Sequence, residues 1–188
     1  MKIMRIAGIS LVMILLSAPL IRGQELSKYR GLSLGMSLPE LSNQVDLRPL
    51  QTKLIQKRPP VIQELTCWPS GPSGYSLQAD SVWQIFFSFY NGELFRILVT
   101  YDRDATHGLT AEDMVQAIST KYGIATRPTG EISFPTNELY RSTQTVIARW
   151  EDSQYSINLV RSRFLNSFAL VMFRNGWMHK PMLRLPNP

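Results

Sequence analysis

Cysteine is nearly missing from this 188-residue chain: there is one, Cys67. A single thiol can form neither an internal disulfide nor a cysteine-clustered zinc site. Histidine is almost as scarce. His107 and His179 alone are too few for a multi-histidine metal centre. Charged residues make up 18% of the chain against 44% hydrophobic, which argues against wholesale disorder. A chain of this size makes one domain or two very small ones, and buries roughly 70% of the surface it exposes when unfolded.

Long uncharged runs are also rare, and the longest, residues 6–21, lies close to the amino terminus behind Lys2 and Arg5. It is shorter than the ~20 residues that cross a bilayer, and Pro19 interrupts it. With Gly23 as a small residue before Gln24, residues 1–23 read as a cleaved export signal, and the protein as periplasmic or extracellular. The alternative is a scaffold anchored by residues 6–21. Cleavage removes Lys2, Arg5 and Arg22, so the net charge falls from +6 to +3. That charge, in that compartment, excludes a nucleic-acid role.

Two helix starts share a pattern. In Gly35-Met36-Ser37-Leu38-Pro39-Glu40-Leu41, Ser37 can cap a helix and Glu40 can close a capping box. Leu38, Leu41 and Val45 then fall on one face, and the helix ends by about Leu47, before Pro49. In Gly108-Leu109-Thr110-Ala111-Glu112-Asp113-Met114, Thr110 and Asp113 take the same roles. Met114, Val115, Ile118 and Tyr122 form the apolar face, and Gly123 stops the helix.

Strand material follows each helix. Residues 82–90, Asn91-Gly92 and residues 93–101 spell a hairpin. A three-residue loop, Tyr90-Asn91-Gly92, would put Trp83, Ile85, Phe87 and Phe89 on one face with Phe95, Ile97, Val99 and Tyr101. Residues 145–150, 154–161 and 167–174 read as a three-strand meander. There Tyr155, Ile157 and Leu159 face a core, continued by Ala169, Val171 and Phe173, while Ser156 and Asn158 face water. Residues 61–68 suggest one more strand. Residues 69–74 and 124–141 read as irregular, and the tail 175–188 as extended.

These readings predict an α+β protein made of two related units, residues 24–106 and 107–174, each a short helix packed on an antiparallel β-meander. The glycine-led helix starts and the Tyr90-Asn91-Gly92-Glu93-Leu94 hairpin resemble the tandem helix-plus-sheet repeats of β-lactamase inhibitory protein. They are also similar to the small lipoprotein of the β-barrel assembly machinery. The resemblance spans residues 31–123 and, more weakly, the second sheet. It implies an exported, non-enzymatic protein that acts by binding other proteins. The chain departs from both families. It has no cysteine for lipidation and none to pair in a disulfide, so neither partner nor binding residue is carried over.

Catalytic constellations are thin. Cys67 with His107 or His179 as base would make a thiol enzyme, and an envelope hydrolase is the related alternative. Trp68 beside Cys67 and the absence of a following helix start favour packing. Gly71-Pro72-Ser73-Gly74-Tyr75 imitates a nucleophile elbow with its second glycine one residue early. Asp102 and Asp104, near Glu112 and Asp113, lack the glycine and distal glutamate of a calcium loop. Basic residues gather at Lys53, Lys57 and Arg58, and again at Arg161, Arg163, Arg174, Lys180 and Arg184; they suit ordinary surface charge or weak contact with an anionic membrane surface.

The sequence therefore calls for no enzyme, no cofactor and no metal. It points to a protein partner in the envelope, bound through the second face of the first hairpin, with Phe86, Tyr90, Leu94, Arg96 and Leu98 as the binding residues.

Overall fold

The computed structural model describes residues 25–44, 51–57, 60–69, 81–128, 131–133, 143–161 and 167–176. Residues 1–23, expected to be a signal, Val45, Arg58, the elbow-like residues 71–75, Arg163 and the tail with His179, Lys180 and Arg184 lie outside these residues. The elements, in order, are β1 (Lys28–Tyr29), β2 (Leu32–Ser33), α1 (Leu38–Gln44), β3 (Gln51–Gln56), β4 (Ile62–Cys67), β5 (Val82–Tyr90) and β6 (Glu93–Tyr101). Then come α2 (Ala111–Tyr122), β7 (Glu131–Ser133), β8 (Thr143–Glu151), β9 (Tyr155–Arg161) and β10 (Phe168–Arg174).

Both helices begin where their polar residues satisfy the free amide groups of a first turn. Glu40 Oε2 accepts from the Ser37 N–H at 2.7 Å and from its hydroxyl at 2.8 Å. At α2 the box closes in both directions: Asp113 N–H donates to Thr110 Oγ1 at 3.2 Å, and Thr110 N–H donates to Asp113 Oδ2 at 2.8 Å. Gly123, at φ +89°, ends α2 with its N–H on the Ser119 carbonyl. Burying Met114, Val115, Ile118 and Tyr122 against the sheet holds α2 down, at roughly 1.5–3 kcal/mol for a large apolar side chain.

Eight strands form one sheet, in the order β3-β4-β5-β6-β10-β9-β8-β7, and each pairs antiparallel with its neighbours. Each helix is thus followed in the chain by four strands that run as a meander, and the last strands of the two meanders, β6 and β10, pair at the centre. Among the described residues, β3 and β7 are the two edges. The helices and the β1–β2 ribbon lie on one side. Tyr29, Leu32, Leu41 and the α2 residues pack there against Phe87, Phe89, Ile97, Trp150, Ile157, Leu159 and Leu170. Trp150 Nε1–H donates to the Gly123 carbonyl at 2.9 Å, tying the end of α2 to β8. A second apolar cluster, Val146, Val160, Ala169, Val171 and Phe173 with Leu98 against it, occupies the other face and includes no helical residue.

Three expectations change. The hairpin loop has two residues, since Tyr90 pairs with Glu93. Asn91 and Gly92 take φ of +49° and +84°, the left-handed pair whose twist matches that of the strands. A bulge then shifts the register from Phe89↔Leu94 to Ser88↔Arg96, with Phe95 as the inserted residue. A second shift leaves Trp83 unpaired and 52% exposed. Ile85, Phe87, Ile97 and Val99 still share the core face, as alternation requires, but Trp83 and Phe95 drop out of it.

The other changes concern β9 and the edges. Ser156 and Asn158 do not face water: they are 1% and 0% exposed. Ala169, Val171 and Phe173 pair with Val160, Asn158 and Ser156, so they belong to that second face, and Phe168, Leu170 and Met172 face the helices. Finally, β3 and β7 form in stretches where the sequence gives no alternating signal, β7 within the segment expected to be irregular. As edge strands, each gains its order from a single paired neighbour.

Candidate binding surface

The sheet face away from the helices carries most of the expected site. Its residues follow from register, because directly paired residues point the same way. One row across the sheet reads Glu64, Ser88, Arg96, Phe173, Ser156 and Glu151. The next reads Thr66, Phe86, Leu98, Val171, Asn158 and Arg149. Tyr90 lies beyond the first row, opposite Ile62.

In the first row Arg96 is almost fully buried and is satisfied within the protein. Its Nε–H donates to Ser88 Oγ at 3.1 Å and its Nη2–H to Glu64 Oε2 at 3.2 Å. Burial pulls the guanidinium below its ordinary value, while the Glu64 carboxylate opposes that shift and keeps the charge in place. The pair is therefore a neutral unit inset in an apolar surface. Phe86, Tyr90 and Leu98 around it are half-buried, and the Tyr90 and Phe95 rings meet edge-on at 6.5 Å. The bulge at Phe95 is what brings that ring beside Tyr90.

The other half of the face is built differently. Phe173 stands in the row next to Ser156, and the Ser156 hydroxyl has no hydrogen-bond partner among the described residues. Arg149 Nε–H donates to Asn158 Oδ1 at 2.7 Å, and the Asn158 Nδ2 is likewise without a partner there. Arg149 also lies 3.8 Å from Glu151.

Of the five residues expected at the site, the structure brings Phe86, Tyr90, Arg96 and Leu98 to one face. Leu94 lies on the other: it is 1% exposed within the helix-side core. The reason is the bulge, which changes the alternation between Leu94 and Arg96. Backbone pairing fixes it there as well, since Leu94 N–H donates to the Met36 carbonyl and the Leu94 carbonyl accepts from Gly35 N–H. Sequence reasoning did not identify Glu64 as the partner of Arg96, 32 residues away. Only the strand order carries that pairing.

The residues weighed for catalysis are dispersed. Cys67 packs in the helix-side core, and burial pushes its thiol up, the opposite of what an activated nucleophile needs. Asp102 turns its carboxylate into its own loop, accepting from the N–H groups of Asp104 at 2.8 Å and Ala105 at 2.9 Å. Asp113 is spent on the α2 cap. Among the described residues no three histidine, cysteine, aspartate or glutamate side chains come together as a metal site. Arg174 of the basic set pairs with Glu93 at 3.4 Å, and Lys53 and Lys57 are exposed. No described helix is long and apolar enough to cross a membrane. No protein-family model, curated protein or solved structure matches this chain.

Proposed function

We propose that this is an exported, non-enzymatic protein of the cell envelope that binds a protein partner through the sheet face carrying Phe86, Tyr90, Arg96 and Leu98. One observation supports this reading above the others. Half-buried aromatic and aliphatic side chains surround a charge-neutral Arg96–Glu64 pair, on a face to which no described helix contributes. Interface centres favour aromatic residues and arginine, and a guanidinium already paired inside the protein needs no new counter-charge when a partner removes water from it.

The same reading takes the chain as two related units, residues 24–106 and 107–174, after a signal at residues 1–23. The mirrored strand order, with β6 and β10 at its centre, supports that kinship. It also keeps the likeness to the helix-plus-sheet repeats of the inhibitory protein and the assembly lipoprotein as part of the proposal.

The test uses the native protein, crosslinked in its envelope and recovered. The variant Phe86→Ser/Tyr90→Ser is expected to lose a partner that Lys57→Ser retains, with circular dichroism and melting unchanged. Retention of the same partner by the double variant overturns the proposal. So does unfolding of the double variant, which assigns both residues to the core. The mass of the recovered chain reports the signal, and a start near Gln24 is expected.

A further inference from the structure

At the end of the sheet away from the Asn91-Gly92 turn, where β5 begins, β6 ends and β10 begins, lies a half-open cavity of about 440 Å³. Trp83 lines it. Tryptophan is highly buried on average, yet the bulge between Val82 and Gln84 takes this indole out of the core and leaves it 52% exposed. Thr100 from β6 and Ser167, just before β10, line the same cavity. Ser167 is 4% exposed, and its hydroxyl has no hydrogen-bond partner among the described residues. Such a group has given up water without receiving a bond in return, which a ligand would supply.

The turn after β6 brings charged groups of both signs to the cavity: Asp102, Arg103 and Asp104. The Asp102 carbonyl holds that turn, accepting from the Thr106 N–H at 3.1 Å and from its hydroxyl at 2.6 Å. Asp102 Oδ1 is occupied by the N–H groups of Asp104 and Ala105, at 2.8 and 2.9 Å. Its Oδ2 receives no hydrogen bond from the described residues, and among them the exposed Arg103 and Asp104 form no ion pair. The loop thus fixes one carboxylate with an oxygen to spare, and sets guanidinium donors and a second carboxylate beside it.

We infer that this cavity binds one neutral pyranose ring. Such a ring has a face of C–H groups that packs on the electron-rich face of an indole, and a rim of hydroxyls that each donate and accept. Trp83 supplies the platform. Asp102 Oδ2 and the Asp104 carboxylate accept from the rim, Arg103 donates to it, and the Ser167 hydroxyl gains the partner it lacks. The volume suits about fifteen non-hydrogen atoms at ~30 Å³ per water-sized group, the size of one ring with its substituents. An aromatic wall with a few convergent polar groups is the usual arrangement of a small-molecule site. A quaternary ammonium ion also packs on an indole, but it makes no hydrogen bond to Ser167 and Arg103 repels it. None of these residues belongs to the face of the proposed partner, so either reading can fail alone.

The test titrates the full chain with the methyl glycosides of glucose, galactose, mannose and N-acetylglucosamine, and with tetramethylammonium. Calorimetry and the indole N–H resonance of Trp83 report binding. At least one glycoside is expected to shift that resonance and to saturate with a dissociation constant of ~1 mM, within reach of about fifteen non-hydrogen atoms. Tetramethylammonium, which has no hydroxyl, binds at least about tenfold more weakly. The disaccharide of the bound sugar separates the two sources of such a ring: retained affinity marks the end of a glycan, lost affinity a free sugar. Trp83→Ala abolishes binding with melting unchanged, since the side chain is exposed. Asp102→Asn keeps Oδ1 for the turn, replaces Oδ2 with a donor and weakens binding about tenfold. Ser167→Ala weakens it about fivefold without destabilising the free protein. Binding of none of the glycosides, tetramethylammonium binding as tightly as the best of them, or glycoside affinity unchanged in Trp83→Ala overturns the proposal. So does a Ser167→Ala protein that loses stability and keeps its affinity.

Discussion

Arg96 shows how one side chain can govern a surface. It sits in the sheet with its charge intact because Ser88 and Glu64 receive its donors. Removing one member of a buried pair leaves the other charge unpaired, at about 3–5 kcal/mol when both are fully enclosed. Glu64 keeps 23% of its side-chain surface in water, so the cost here is smaller. Glu64→Gln is expected to destabilise the fold by ~2 kcal/mol in urea denaturation. Glu64→Leu/Arg96→Met, which removes both charges and keeps the volume apolar, is expected to cost less than Glu64→Gln alone. A double variant no more stable than the single one would show that the pair contributes more than mutual satisfaction.

At this scale the sequence was informative about side-chain type and silent about partners. Phe86, Tyr90, Arg96 and Leu98 share a face because alternation holds along each strand between its bulges. Leu94 escapes it, because a one-residue insertion changes phase without leaving a glycine or proline to mark it. The burial of Ser156 and Asn158 was equally hidden: a polar residue in an alternating strand signals water unless something else covers the face.

Among the elements, the helix starts were the most legible, since a capping box is local and each of its bonds spans three residues. Both boxes place a carboxylate under the influence of pH. The Ser37 N–H, and then its hydroxyl, hold Glu40 below its ordinary 4.5; the Thr110 hydroxyl, and then its N–H, hold Asp113 below its ordinary 3.8. A carboxyl whose folded value is depressed stabilises the fold above its unfolded value and loses that contribution as pH falls through the folded one. Amide-exchange protection in the first turns of α1 and α2 is therefore expected to hold at neutral pH and to decline as pH drops below about 4.5 for Glu40 and about 3.8 for Asp113. Asp113→Asn should flatten the decline at α2 and leave that at α1 in place. A decline at α2 that survives this substitution would assign it to another group.

The hairpin was legible in location and not in detail. Asn91-Gly92 announces a turn, yet two-residue and three-residue loops differ by one position. Burial on the core face demanded an even register, which the structure meets with a tight turn and a bulge instead of a longer loop. The edge strands β3 and β7 had no signal to read, because edge order is supplied by the neighbouring strand.

In the whole molecule, the central β6–β10 pairing joins what would otherwise be two four-stranded meanders. The helix-side core runs continuously across that seam, from Phe87 and Ile97 to Leu170 and Ile157. Folding is expected to be all-or-none. In native-state hydrogen exchange, β5 and β6 should open with the same free energy as β9 and β10, at the global value. Two separate openings, one per meander, would contradict this. Strand order could not be derived from the chain, because every alternating strand is compatible with several neighbours and only long-range pairing selects among them.

Among the described residues the sheet is open, with two margins whose backbone groups pair on one side only, and such margins invite fibrillar stacking. Here β7 is only three residues long and β3 presents Lys53 to solvent. Shortness at one margin and a cation at the other are deterrents against self-templating. Both features oppose edge-to-edge polymerisation of a sheet that carries apolar residues on its open face.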